Sequence, residues 1–383
     1  MPSVPPGSHI PFNSPFVVER GFENMRAAFH NRHTSGNGAF TRRCQEFFDQ
    51  HFAPGRALLT TSCTDALELC ALLLNIGPGD EVIMPSFTFV STANAFVLRG
   101  ARPIFVDSRL DTYNLDEAQL ENAITPNTKA IAVVHYAGVA CEMDAISRLA
   151  ARRGLPVVED NAHGLFGTYQ NRALGTFGQL STLSFHETKN LSCGEGGALV
   201  VNDPGLFGRA EILWEKGTDR SRFFRGEIDK YTWRDAGSSF LPSDILAALL
   251  WAQVEVREKI QARRREIHSR YADGLRGWAH AHEVKLQAIP ATCRASYHLF
   301  SLLLPTPEAQ RALLRHLQEQ KITAVFHYQP LHLTPMGLRF GGRQGQCPRA
   351  ESISSRIVRL PFYFDLSSAD QERVIGSVQS FIP

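Results

Sequence analysis

SFHETKN, residues 184–190, ends a short apolar run and carries a single lysine, Lys189. The preceding STLSF (181–185) reads as a buried strand. The following CGEGGALVV (193–201) is rich in glycine, so its backbone can pass close to a neighbour. A lysine in such a turn is either a solvated charge or an amine held at a sheet edge to form a Schiff base with a carbonyl. The surrounding chain decides between the two.

Outward from this stretch, residues 55–205 alternate in pattern. ALLTTS (57–62), EVIMPSFTFV (81–90), RPIFVD (102–107), KAIAVVHYAG (129–138) and LPVVED (155–160) read as buried strands, being apolar and rich in Val and Ile. TDALELCALLLNI (64–76) and EMDAISRLAARRG (142–154) have helical spacing. Strands alternating with helices predict an α/β fold with a mainly parallel, doubly wound sheet between helices. Ligands bind at the carboxyl ends of such strands, and TSCTD, SFTF, HYAG, EDNAH and SFHETK fall there. Residues 244–276 predict one long amphipathic helix. A strand (295–304), a helix (308–321) and a strand (324–331) then predict a smaller C-terminal α+β domain. The expected division is an N-terminal arm 1–15, a large domain 16–250 and a small domain 251–383. Residues 337–350, GLRFGGRQGQCPRA, read as a mobile loop.

The chain's 383 residues are 43% apolar and 20% charged, a globular composition. A net charge of +2 gives no electrostatic case for nucleic acid. The basic run 263–265 fits a solvated helix face. Apolar stretches are too short for a bilayer, and MPSVPPGSHIPF lacks the pattern of a signal peptide. Seven cysteines without close metal spacing suggest reduced thiols and a cytoplasmic location.

Four groups carry candidate chemistry. At Ser62–Thr64 a strand meets a helix, whose free N–H groups and dipole suit a phosphate. Thr64 adds a hydroxyl and Asp65 a backbone N–H, with the Asp65 carboxylate turned away; plain capping also fits. Asp160 ends a strand and suits a protonated ring nitrogen, with His163 beyond it for a ring substituent; a capping Asp and a surface His fit as well. Phe87 and Phe89 offer a ring platform or core packing. Taken in order, Thr64, Phe89, Asp160, Ser184 and Lys189 are the parts of a pyridoxal 5′-phosphate (PLP) site. His327 and His332 form a possible metal pair without a third ligand near in sequence.

Through SCTDAL, GDEVIMPSFTFVSTANAF, VHYAG, VEDNAH, SFHETKN with GEGGA, FHYQPLH and LPFYFDLS, the chain resembles the DegT/StrS-type nucleotide-sugar aminotransferases over almost its whole length. That resemblance implies the PLP-dependent aspartate-aminotransferase (type I) fold and a homodimer with shared active sites. It implies that Lys189 bonds the cofactor and shuttles protons, and that Asp160 pairs with the pyridine nitrogen. His163 would contact the ring hydroxyl and Phe89 would stack on the ring. Thr64, the Asp65 backbone and Ser184 would hold the phosphate. Many members place a partner-subunit Asn at the phosphate; here Leu241 stands at that position, so Ser238 or Ser239 is expected to substitute. Dehydratases in the family replace the lysine with histidine, and Lys189 argues for transamination. KGTDRSRFFRGEIDKYTWRDAGSSF (216–240) is similar to transaminases that make dTDP-4-amino-4,6-dideoxygalactose from dTDP-4-dehydro-6-deoxyglucose and L-glutamate. Arg222, Arg225 and Lys230 are then candidates for the nucleotide diphosphate, equally readable as surface charges, and His327 and Tyr328 for the sugar pocket. The alternatives are another nucleotide keto sugar (UDP-linked, 3-keto, or of 4-amino-glucose stereochemistry) and a non-catalytic, PLP-binding regulatory protein.

Overall fold

Strand β1 (Arg56–Thr60) is followed in the chain by β2 (Glu81–Pro85), β3 (Arg102–Val106), β4 (Thr128–Val134) and β5 (Val157–Asp160). A small hairpin, β6 (Thr168–Tyr169) and β7 (Arg172–Ala173), precedes β8 (Leu180–Ser184) and β9 (Gly197–Val201). These strands come from a computed structural model describing residues 8–383. Residues 1–7 of the expected arm, and most of the segment read for a signal peptide, lie outside the described residues.

Across the large sheet the order is β1-β9-β8-β5-β4-β2-β3. β2, β3, β4, β5 and β8 pair in parallel. β9 runs antiparallel to both β1 and β8, so β1 points the same way as the parallel set. Every residue of β2 and β9 is buried. Helices cover both faces, which is why these strands read as apolar runs rather than alternating ones. On one face, α3 (Cys63–Leu73), α4 (Val90–Val97) and the helix Pro204–Trp214 pack Leu67, Cys70, Phe96 and Trp214 against the sheet. On the other, Ile146 and Leu149 of the helix Met143–Arg153 meet Ile131 and Val133 of β4. A third cluster joins α2 (Ala39–His51) to the helix Asp244–Glu255 through Phe48, Phe52 and Leu250. The carboxyl ends of β1, β2, β4, β5 and β8 consequently share one edge, and the polar stretches of the sequence lie along it.

A second sheet, β10 (Lys285–Leu286), β12 (Ser301–Leu303) and β13 (Ile357–Arg359), has its own core. Ile267, Tyr271 and Leu275 of the helix Arg257–Ala281 pack there with Leu313, Leu317 and Val374. Ile10 joins that core and bridges to Ile322, so this part of the arm is ordered backbone. The short strand β11 (Cys293–Arg294) pairs with β6 instead.

Several expectations are corrected. The predicted helix over 244–276 is two helices broken at Val256, whose backbone leaves the helical region (φ −109°, ψ 14°). Apolar spacing alone did not reveal the break. The strand expected over 324–331 reduces to a bridge between Val325 and Arg359, leaving His327 and Tyr328 in loop. The strand expected over 295–304 spans only 301–303, because Ser296 and His298 pair with the loop at Ala137–Gly138 instead. Residues 337–350, read as a loop, begin in the helix Pro335–Arg339 and end in the helix Pro348–Arg356. There Asp107 accepts the N–H groups of Arg349 and Ala350 at 3.0 and 2.8 Å, capping the second helix. All seven cysteines are unpaired, and all but Cys63 are buried. Among the described residues no helix is long and apolar enough to cross a membrane.

Candidate active site

Gly197 shows how the site is assembled. It opens β9 at the carboxyl edge, paired with Thr60 of β1 on one side and Ser184 of β8 on the other. A Cβ here would lie 2.4 Å from both the Cys63 nitrogen and the Ser62 carbonyl carbon. The N-terminus of α3 therefore rests on bare backbone, against Ser184. Ser62 caps that helix by accepting the Asp65 N–H at 3.1 Å. The N–H groups of Cys63 and Thr64 have no protein acceptor among the described residues. Free N–H groups at a helix start attract an anion. The Thr64 hydroxyl lies beside them, 2.8 Å from Ser91 Oγ. The Asp65 carboxylate is occupied by the Thr61 hydroxyl, and its N–H by Ser62, so Asp65 presents less to an anion than the sequence suggested.

Lys189 lies past β8 in a turn closed by its N–H to the His186 carbonyl, 2.9 Å. Burial lowers its pKa to about 8; Cys63 and Asp160 oppose the shift, while Arg359 and Arg264 add to it. An amine with that pKa is partly neutral at physiological pH and can attack a carbonyl carbon. Asp160, at the end of β5, is 6% exposed. It accepts from Thr92 Oγ1 at 2.7 Å and from the Ala162 N–H at 3.2 Å, which fix the carboxylate at the edge.

His163 is buried, and its Nδ1 accepts the Ala137 N–H at 3.2 Å. Burial, helped by the charge of Lys189, holds its pKa well below the ordinary value. The ring is therefore neutral, and its proton sits on Nε2 as a donor. His298 stacks on it with centroids 4.2 Å apart, and His327 lies parallel at 6.3 Å. Burial also keeps those two imidazoles neutral. His327 Nδ1 meets the Tyr136 hydroxyl at 2.9 Å. Tyr328 faces Phe87 at 5.6 Å and Phe89 at 6.1 Å. Phe87 is core, whereas Phe89, just before α4, is 56% exposed and free to meet a flat ring.

The structure thus gathers Thr64, Phe89, Asp160, His163, Ser184, Lys189, His327 and Tyr328 along one edge. It does not bring Arg222, Arg225 or Lys230 there within the chain. These three are exposed; Arg222 pairs with Glu227 at 3.0 Å, and Arg225 pairs with Glu211 at 2.7 Å and Glu227 at 2.6 Å. Ser238 and Ser239 are exposed on the same segment, and Leu241 packs beside Gly36. His332 binds Ser86 at 2.6 Å and Glu351 at 3.0 Å through its two ring nitrogens, which leaves neither for a metal shared with His327. Sequence reading missed His298, Tyr136, Thr92 and Arg359. A charged residue inside the apolar run VRLPF (358–362) was the available signal for Arg359.

The description DegT/DnrJ/EryC1/StrS aminotransferase family matches residues 17–379. The chain belongs to that family. It is 31% identical to the spore coat polysaccharide biosynthesis protein SpsC of Bacillus subtilis, covering 97% of each chain. Identity to GDP-perosamine synthase of Escherichia coli O157:H7 is 30%, over 97% of this chain and 98% of the relative. Among solved structures, the aminotransferase TlmJ of Streptoalloteichus hindustanus superposes with a TM-score of 0.89 at 31% identity, covering 97% of this chain and 98% of that one. The PLP-form of the sugar aminotransferase Spr1654 of Streptococcus pneumoniae gives 0.89 at 25% identity with the same coverage. This family has the type I fold, with the mainly parallel sheet described above.

Proposed function

We propose that this aminotransferase moves the amino group of L-glutamate to C4 of dTDP-4-dehydro-6-deoxyglucose, giving dTDP-4-amino-4,6-dideoxygalactose and 2-oxoglutarate. The observation that carries the reading is Lys189, an amine with a pKa of about 8 facing one carboxylate and a set of neutral imidazoles. The cofactor is pyridoxal 5′-phosphate, and the residues fit it. The free N–H groups of Cys63 and Thr64, with the hydroxyls of Thr64 and Ser184, would hold its phosphate. Asp160 would keep its ring nitrogen protonated, the His163 Nε2–H would donate to its ring oxygen, and Phe89 would cover its face. Bound there, the cofactor supplies an electron sink for charge developing next to the nitrogen.

Lys189 does the proton work. Its neutral Nζ takes the proton from the donor's α-carbon, and its charged form later returns a proton to C4 of the acceptor. Tyr328 and His327 border the space beside Lys189 and would orient the sugar. The segment 216–240 carries Phe224, Tyr231 and Trp233, all exposed. Exposed aromatics in one patch mark an interaction surface. In a homodimer this segment would cover the partner's site, bringing Arg222, Arg225 and Lys230 to the nucleotide diphosphate and Ser238 or Ser239 to the phosphate. Its similarity to transaminases acting on the dTDP sugar supports that substrate.

Absorbance of the purified holoenzyme tests the reading. Glutamate should bleach the visible band, and dTDP-4-dehydro-6-deoxyglucose should restore it. Lys189→Ala should do neither. If glutamate bleaches the band and only a GDP- or UDP-linked keto sugar restores it, the aminotransferase stands and the dTDP assignment falls. If glutamate leaves the wild-type band unchanged, the catalytic reading falls.

A further inference from the structure

A second cavity lies on the side of the helix Arg257–Ala281 that faces away from Lys189. It holds about 500 Å³ and is walled by the end of α2, the chain leading into β6, the helix itself and the segment 294–297. Arg257, Gln261 and Arg265 stand four residues apart, so they line one face of the helix along the cavity. Arg264 turns inward instead and donates to the Tyr297 and His298 carbonyls, at 3.0 and 2.5 Å. Nothing that lines this cavity also lines the small space around Lys189 and Asn190. Gln261 is the wall between them. It donates to the Ser296 carbonyl at 2.8 Å, which also accepts from Asn190 Nδ2 at 2.8 Å.

Three guanidiniums reach this cavity, and little in the chain answers them. Among the described residues, the side chains of Arg265 and Arg294 have no hydrogen-bond or ion-pair partner. Arg257 donates to the Val254 carbonyl at 3.1 Å and lies 3.5 Å from Glu258, a largely exposed side chain. Glu258 is the one carboxylate on the wall. Arg294 is held in place because β11 pairs with β6, opposite Thr168, and not with the small-domain sheet. The rest of the wall is aromatic. Phe47 lies parallel to His51 with centroids 6.2 Å apart, and beneath the Arg257 guanidinium at 4.8 Å. Phe166 meets His51 edge-on at 5.3 Å. Burial, then Arg257 and Arg294, lower the His51 pKa against Glu258, so this ring is neutral. Its Nε2 is buried without a protein partner, and such a nitrogen beside a cavity calls for one from outside the chain.

We infer that this cavity binds a nucleoside diphosphate, with its phosphates on Arg257, Arg265 and Arg294 and its base against Phe47, His51 and Phe166. The inference goes beyond the aminotransferase reading and does not depend on it. A singly charged anion would need one guanidinium. Three of them against one glutamate match a group carrying two or more negative charges, and arginine forks fit phosphate oxygens in pairs. Inorganic diphosphate shares that chemistry. The aromatic wall is what favours the nucleotide, since a base offers a flat face to stack. A cavity of this volume takes one nucleotide and not a strand. The keto sugar's own diphosphate belongs elsewhere, because the helix Arg257–Ala281 stands between this cavity and Lys189.

Calorimetry on the full-length holoenzyme tests this, with ADP and inorganic pyrophosphate as the two probes. ADP should bind about ten- to a hundredfold tighter than pyrophosphate, the worth of stacking one base. The double variant Arg265→Ala, Arg294→Ala should weaken both probes by about ten- to a hundredfold, as for one charge-assisted hydrogen bond. Both arginines are exposed, so urea unfolding of that variant should be nearly unchanged. An azido derivative of ADP, crosslinked by light and mapped by peptide mass spectrometry, should label the chain near Phe47, Phe166 or Tyr297. If the double variant binds ADP as tightly as wild type, or the label falls on 216–240, the nucleotide goes to another site and the inference is overturned. Pyrophosphate binding as tightly as ADP overturns the nucleotide assignment and leaves an inorganic diphosphate site. If neither probe binds, the cavity is not an anion site and the inference falls whole.

Discussion

Replacing Gly197 with alanine adds one methyl group where the backbone of α3 leaves no room. The new Cβ would lie 2.4 Å from the Cys63 nitrogen, 2.4 Å from the Ser62 carbonyl carbon and 2.5 Å from the Ser62 oxygen. Ordinary contact begins near 3.4 Å, so the shortfall is about 1 Å against three backbone atoms. β9 cannot retreat, because β1 and β8 pair with it on both sides. Gly197 has no positive φ, so alanine carries no conformational penalty of its own. The whole effect is therefore steric. The helix start must shift, and its N–H groups move with it. We expect a stability loss of about 1–3 kcal/mol in urea unfolding, as for overpacked cores. Absorbance titration of the apoenzyme should show at least tenfold weaker PLP binding.

Two neighbouring glycines supply the controls. At Gly196 the one close approach of a Cβ is to the Cys193 sulfur, at 2.6 Å, a side chain that can rotate, while Phe185 lies at ordinary contact, 3.4 Å. At Gly194 a Cβ meets nothing, and the cost is the positive φ of 88°. Both alanine variants should keep PLP affinity within about threefold, because neither moves α3. A Gly197→Ala enzyme that binds PLP as tightly as wild type would refute the idea that bare backbone sets the phosphate seat.

Two further outcomes follow from single residues. A pKa of about 8 leaves about one Lys189 amine in ten neutral at pH 7, against about three in ten thousand for an ordinary lysine. Because the shift is downward, labelling of the apoenzyme at Lys189 by an amine reagent, read by peptide mass spectrometry, should rise about tenfold per pH unit and level off near pH 8; a rise continuing to pH 10 counts against the burial argument. Trp233 is 79% exposed, so Trp233→Ser should leave unfolding nearly unchanged while weakening self-association about thirtyfold in sedimentation equilibrium, as expected for an aromatic anchor; unchanged association would remove this segment from the interface.

Much of the large sheet was legible because its strands are buried on both faces and keep an unbroken apolar signature. That Lys189, Asp160 and Thr64 lie at the carboxyl edge was legible for a related reason: each ends or follows an apolar run, and strand ends define that edge. The break at Val256 was not legible, since apolar spacing continues across it and no Gly or Pro marks it. His327 and Tyr328 look like strand residues because Val325 and Phe326 before them are apolar, yet only Val325 pairs. His298 could not be linked to His163 from sequence, because 135 residues separate two rings that stack at 4.2 Å. Asp65 shows the opposite failure. Its carboxylate is engaged by Thr61, away from an anion as expected, but Ser62 has taken the backbone N–H that was expected to serve one.

The charges at the carboxyl edge are unequal by design of the chain rather than by accident of one residue. Burial first, and then Arg359 and Arg264, push the proton affinity of Lys189 down. Asp160 is the carboxylate that opposes them at Lys189. Acidic partners for the arginines would remove the desolvation cost, but they would also occupy the donors that an anion needs. Burial, helped by these cations, keeps three imidazoles neutral, so that His163 retains both a lone pair for Ala137 and an Nε2–H to donate. Burial, with a smaller contribution from the two arginines, also keeps Lys189 near the pKa at which one amine can both accept and return a proton. A phosphate, an amino acid carboxylate and a nucleotide diphosphate are all anions. A site that must admit them in turn is better served by fixed positive charge than by ion pairs that each arrival would have to break.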